Sequence, residues 1–72
     1  MEKRYVLTRK DSDGEVVLSR SKSLSYVNRR MCDDWLRVLE PVKEREPNHR
    51  RSYFVNEYAS IEGVATWSIT TE

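Results

Sequence analysis

The sequence predicts a small α+β domain in the order ββαββ: an antiparallel sheet of two hairpins with one helix packed on one face. Three observations predict it. Two runs rich in strand-forming residues flank "DSDG" at Asp11–Gly14. The segment from Ser21 to Arg45 repeats its apolar residues at helical spacing. Two further strand-like runs follow, separated by "SIEG" at Ser60–Gly63.

The first strand is predicted over Lys3–Arg9, "KRYVLTR", with Tyr5 and Leu7 on one face and Arg4, Val6 and Thr8 on the other. In "DSDG", aspartates make local side-chain turns and Gly14 accepts a positive φ, so this is a hairpin loop. The returning strand is "EVVLSR", Glu15–Arg20. Ser21 or Ser23 can cap the helix that follows, whose Leu24, Val27, Met31, Trp35, Val38 and Val42 form one stripe. Cys32, Leu36 and Leu39 widen that stripe on one flank. Pro41 lacks an N–H, so the helix is expected to end or kink near Leu39 or Glu40. "EREPNH" reads as a polar loop, Arg50–Tyr58 as a third strand and Val64–Thr70 as a fourth.

The chain of 72 residues is read as a single domain, 1–72. A chain this short buries roughly 60% of its unfolded surface, which leaves little room for a deep catalytic pocket. Charged residues make up 35% of the sequence, yet the formal net charge is only +1. A general polyanion binder is usually strongly basic. The charge is nevertheless uneven: residues 1–30 carry +4, residues 31–49 carry −2 and residues 50–72 carry −1. One cysteine, Cys32, cannot form an intramolecular disulfide, and no run is apolar enough to cross a bilayer. The expected location is therefore a reducing cytoplasm, with no membrane partner. Small, highly charged domains are common among accessory proteins of phages and other mobile elements; for such a protein the compartment would be the host cytoplasm.

Catalytic and metal chemistry find no support. Asp33 and Asp34 are adjacent on a helix and diverge by about 100°, so they cannot pair as a hydrolase dyad. With Arg29, Arg30 and Arg37 they read as a solvated face laced with ion pairs. Cys32 lies mid-helix rather than at a helix N-terminus, where a thiolate would be stabilised. One Cys and one His do not make a zinc site, and the two glycines do not make a phosphate loop. No catalytic residue, metal site or cofactor is expected.

The stretch "NHRRSYF", residues 48–54, places His49, Arg50 and Arg51 beside Tyr53 and Phe54. Cations next to rings suit either phosphate and bases or the energetic centre of a protein interface. Neighbouring strand residues point to opposite faces, so Arg51 and Tyr53 should share one face while Phe54 turns beneath the helix. One helix covers only one side of a sheet, and the strands carry apolar residues on both sides. The uncovered face is thus a candidate interface. The expected function is a non-enzymatic protein-interaction module, an inhibitor or adaptor, that binds another protein or a second copy of itself as a homodimer. Its expected contact residues are Arg50, Arg51, Tyr53, Tyr5, Val17 and Leu36. The alternative is a small nucleic-acid-binding protein that uses Lys3, Arg4, Arg9, Lys10, Arg50 and Arg51, with Tyr53 stacking on a base.

Overall fold

A computed structural model describes residues 3–48 and 51–72. The elements are β1 (Tyr5–Asp11), β2 (Gly14–Ser21), α1 (Leu24–Arg45), β3 (Ser52–Val55), β4 (Tyr58–Ile61) and β5 (Ala65–Thr71). The fold is α+β, with five antiparallel strands in one sheet, ordered β2-β1-β5-β4-β3, and a single helix on one face. Both edge strands, β2 and β3, flank the helix in sequence, so α1 carries the chain across the full width of the sheet.

The first hairpin forms for the local reasons its sequence suggests. Asp11 Oδ1 accepts from the Asp13 N–H at 2.9 Å, and Gly14 takes a φ of 118° that a side chain would disfavour. The β1–β2 register steps from Leu7–Ser19 to Thr8–Val17, which leaves Leu18 as a bulge on the edge strand. The extra residue reverses the alternation. Leu18 packs against the core, while Glu15, Val17 and Arg20 share the opposite face with Lys10, Thr8 and Val6.

The second half departs from the expected pattern. The single strand expected over Arg50–Tyr58 is β3, a turn at Asn56–Glu57, and the first residue of β4. Ser60 and Ile61, expected in a turn, complete β4; only Glu62 and Gly63 of "SIEG" turn, with Gly63 at φ 77°. The sheet therefore has five strands rather than four. The Asn56–Glu57 turn has no glycine to announce it, and its Glu57 carbonyl is held by the Ile69 N–H of β5 at 2.9 Å.

The helix begins where its cap predicts: the Ser23 hydroxyl accepts from the Tyr26 N–H at 3.2 Å. It does not end at Pro41. It runs on to Arg45, because burying Leu39 and Val42 in the core offsets the single backbone bond that proline removes. Pro41 itself faces solvent, so its ring displaces nothing in the core.

Val27, Met31, Leu39 and Val42 of the helix meet Leu7, Ala59, Ile61, Ala65 and Trp67 of the sheet. Trp67 is fully buried and pairs across the sheet with Ala59, whose small side chain leaves space for the indole. Trp35 is half-buried; its ring packs on Phe54 at 5.8 Å and its Nε1–H donates to the Ser60 carbonyl at 3.2 Å. Leu24, expected in the buried stripe, keeps 38% of its surface exposed in the first turn. No helix among the described residues is long and apolar enough to cross a membrane.

Candidate functional site

Two places concentrate chemistry: the sheet face that the helix leaves uncovered, and a carboxylate beneath the helix. The register of the strands defines the first. One row across the uncovered face runs Val17, Thr8, Ser68, Tyr58, Val55. The next runs Glu15, Lys10, Thr66, Ser60, Tyr53. The middle of the face is thus a band of hydroxyl side chains, with larger apolar groups toward both edges.

At the β3–β4 edge, Tyr53 and Tyr58 meet edge-to-face with ring centroids 5.5 Å apart. Such pairs are favourable because a ring's positive edge meets the other's negative face. Each ring stays more than two-fifths exposed, and Val55 beside them is 40% exposed. Arg51, two residues before Tyr53, is exposed next to this cluster. At the opposite edge Val17 is 45% exposed, whereas Val6 is buried between its neighbours Arg20 and Thr70. The Arg20–Glu72 ion pair, 3.3 Å long, closes that corner. Both its partners are solvated, so it adds at most about 1 kcal/mol.

The residues expected to act together are divided by the fold. Tyr53, Val17 and Lys10 lie on the uncovered face, and Arg51, one residue ahead of β3 with its carbonyl accepting from the Glu62 N–H at 2.9 Å, continues the alternation that puts it beside Tyr53. Tyr5 does not join them: it is half-buried on the helix side of β1 and packs against the core. Leu36 is 46% exposed on the outer flank of the helix, in the other layer. Lys3 and Arg4 are exposed ahead of β1. Arg9 faces the helix, where its guanidinium serves Asp34 and Asp11. His49 and Arg50 lie outside the described residues. Phe54 sits on the helix side and Tyr53 on the other, as the strand alternation requires. In a single strand over Arg50–Tyr58, alternation would put Tyr58 on the face of Phe54; the β3–β4 turn resets the register and places it, with the hydroxyl band, beside Tyr53 instead.

The second place is Asp34, read from the sequence as part of a solvated helix face. It is buried. Its Oδ2 accepts from Trp67 Nε1 at 2.7 Å and from Arg9 Nη1 at 2.9 Å, and its Oδ1 accepts from Arg37 Nη2. Burial pushes the carboxyl up. The hydrogen bonds from Trp67 and Arg9 and the charges of Arg37 and Arg9 outweigh it, so Asp34 lies below the ordinary carboxylate value. A cleft of about 160 Å³ beside it is lined by Leu7, Leu18, Arg30, Asp33 and Arg37. Both carboxylate oxygens are engaged and the group is held ionised. A general base working near neutrality needs the opposite, a raised pKa and a free lone pair. Asp34 is therefore a clasp that ties the helix to β1 and β5. The signal for it was available: Asp34 stands three residues after buried Met31 and five before buried Leu39, on the edge of the apolar stripe.

Cys32 is half-buried on the helix, and among the described residues no three His, Cys, Asp or Glu side chains gather to hold a metal ion. No protein-family model matches the chain, and no curated protein or solved structure shows significant similarity to it.

Proposed function

We propose that this domain is a non-enzymatic binding module of the cytoplasm, an inhibitor or adaptor, whose working surface is the uncovered sheet face around Tyr53 and Tyr58 and whose target is a protein. One observation carries the reading: two tyrosines, packed edge-to-face yet both more than two-fifths exposed, stand beside Val55 and Arg51 on a sheet face that no helix or strand among the described residues covers. Tyr and Arg are the residues in which interfaces concentrate their energy, because they combine large rigid contact area with a polar tip. A pre-packed pair loses little side-chain freedom on docking. For an accessory protein of a mobile element, the target would be a host protein.

A second reading has its own support. The hydroxyls of Thr8, Thr66, Ser68 and Ser60, with Lys10 and Arg51 nearby, also suit a nucleic-acid strand laid across a sheet and stacked on tyrosine. Salt separates the two, since binding to phosphates releases counterions and weakens steeply with ionic strength.

The test is capture of partners from the source cell with wild type and Tyr53→Ala/Tyr58→Ala, followed by binding of the purified partner. The double variant loses the ring pair, worth about 0.5–1.5 kcal/mol, so its fold is first checked by circular dichroism at the temperature of the binding assay. Loss of at least tenfold in affinity, about 1.4 kcal/mol, with little salt dependence is the expected result. Full affinity in a folded double variant would remove this face from the function. Oligonucleotide binding with a steep salt slope would transfer the reading to nucleic acid.

A further inference from the structure

We infer that the uncovered face docks on the same face of a second copy of this chain, around a twofold axis parallel to the strands that passes by β5. This rests on the reading of that face as a binding surface, and it names what covers the face in the free chain, before a target protein displaces it. The reason is that the face is complementary to itself. β5 is the middle strand of five, with β2 and β3 at the two edges. A twofold axis along β5 lays β2 of one copy against β3 of the other and leaves each cross-strand row at the same height.

The rows then match. Val17 and Val55 stand at opposite ends of one row, so each valine meets the other type across the axis, and Thr8 meets the Tyr58 ring. At the axis, Ser68 and Thr66 are short enough for two sheets to approach to about 10 Å. In the next row Glu15 and Tyr53 are the two ends. Glu15, exposed beside the acidic turn that holds Asp13, is carried to Tyr53 and its neighbour Arg51 in the other copy. Lys10 of that row meets the Ser60 hydroxyl. Acid at the β2 edge and base at the β3 edge thus pair twice, once on each side of the axis. An axis across the strands would lay β2 on β2 and carry Glu15 toward Arg20 of its own edge, away from Arg51, so it leaves the β3-edge arginine without the acid.

Edge pairing is the less suitable route to a dimer. The β2 edge is interrupted by the Leu18 bulge, a feature that blunts sheet edges against one another. The face itself is small. Five strands at about 4.8 Å and seven residues at about 3.3 Å give a contact of roughly 20 by 23 Å. That is below the ~800 Å² per partner of a standard interface, so the dimer should be reversible and appear in the micromolar range.

The experiment is sedimentation equilibrium of the full chain from low to high micromolar concentration, with Glu15→Arg and Arg51→Glu. Both replaced residues are exposed, and each variant is first shown to melt with wild type. Wild type should show a monomer–dimer equilibrium. Each single variant should lose about tenfold in self-association, because each places two like-charged pairs across the axis. An equimolar mixture of the two variants should recover the association. A mixed dimer holds the native Glu15–Arg51 pair on one side of the axis and the same pair with its charges exchanged on the other. A wild-type chain that stays monomeric throughout, or a dimer indifferent to both reversals, or a mixture that fails to recover, overturns the inference. None of these touches the binding-module reading, which stands or falls with Tyr53→Ala/Tyr58→Ala against a captured partner.

Discussion

Asp34→Ala should be the most destabilising single change at a charged position. The substitution strips one acceptor from three donors. The Trp67 indole N–H, 2.7 Å away on a fully buried ring, has no water to turn to, and an orphaned buried donor costs about 1–3 kcal/mol. Arg9 is three-quarters buried and keeps only the 3.3 Å contact from Nε to Asp11, so its loss adds about 1 kcal/mol. Arg37 is 73% exposed and is rehydrated, a loss of no more than about 0.5 kcal/mol. The expected total is about 2–4 kcal/mol. A core of this size supplies roughly 3–5 kcal/mol, so the variant should keep only about 1 kcal/mol of stability. Urea denaturation followed by tryptophan fluorescence and circular dichroism measures it. Arg37→Ala, by the same reasoning, should shift the free energy by less than about 0.5 kcal/mol. A double-mutant cycle of Asp34→Ala with Trp67→Phe should return a coupling of about 1 kcal/mol or more, because removing the indole N–H removes the orphan. The clasp would be refuted by an Asp34→Ala protein within about 0.5 kcal/mol of wild type, or by Arg37→Ala proving the costlier change.

The remaining expectations concern the same packing. Because the Asp34 carboxyl is lowered on folding, its contribution is fully present above the unfolded value of 3.8 and is lost as pH falls through the lower folded value. The stability difference between wild type and Asp34→Asn should therefore be constant at neutral pH and narrow under acid, and a difference that instead grows below pH 3.8 would contradict the direction of the shift. Trp67→Ala should cost about 3–5 kcal/mol and abolish the thermal transition, whereas Trp35→Ala, half-buried and at the flank, should cost about 2 kcal/mol; equal losses on melting would show that the helix seats differently. Pro41→Ala should raise the melting temperature, since it restores a helical N–H in an exposed position and is worth about 1–3 kcal/mol, and an unchanged or lower melting temperature would mean that the last helical turn is not formed in solution.

What the sequence determined by itself is what neighbouring residues decide. The first hairpin follows from Asp11, Asp13 and Gly14, whose turn chemistry needs no distant partner. The helix and its start at Ser23 follow from local periodicity and a local cap. The opposition of Tyr53 and Phe54 follows from strand alternation alone. The uncovered face was legible for the same reason, since one helix cannot cover two sides of a sheet. Other features were decided only when the chain closed. Asn56 is a turn-forming residue but stands without a glycine inside a strand-like run, and the turn there is set by the pairing of β4 and β5 and by the Glu57–Ile69 bond. Pro41 reads as a helix stop until Leu39 and Val42 are seen to be buried on either side of it. Asp34 reads as a surface charge because its partners, Arg9 and Trp67, stand 25 and 33 residues away. Local preference is worth tenths of a kcal/mol for most residues and about 3 kcal/mol for a proline inside a helix, whereas burial and the satisfaction of several groups together are worth several kcal/mol. Where the two disagree, at Pro41 and at Asp34, tertiary contact wins.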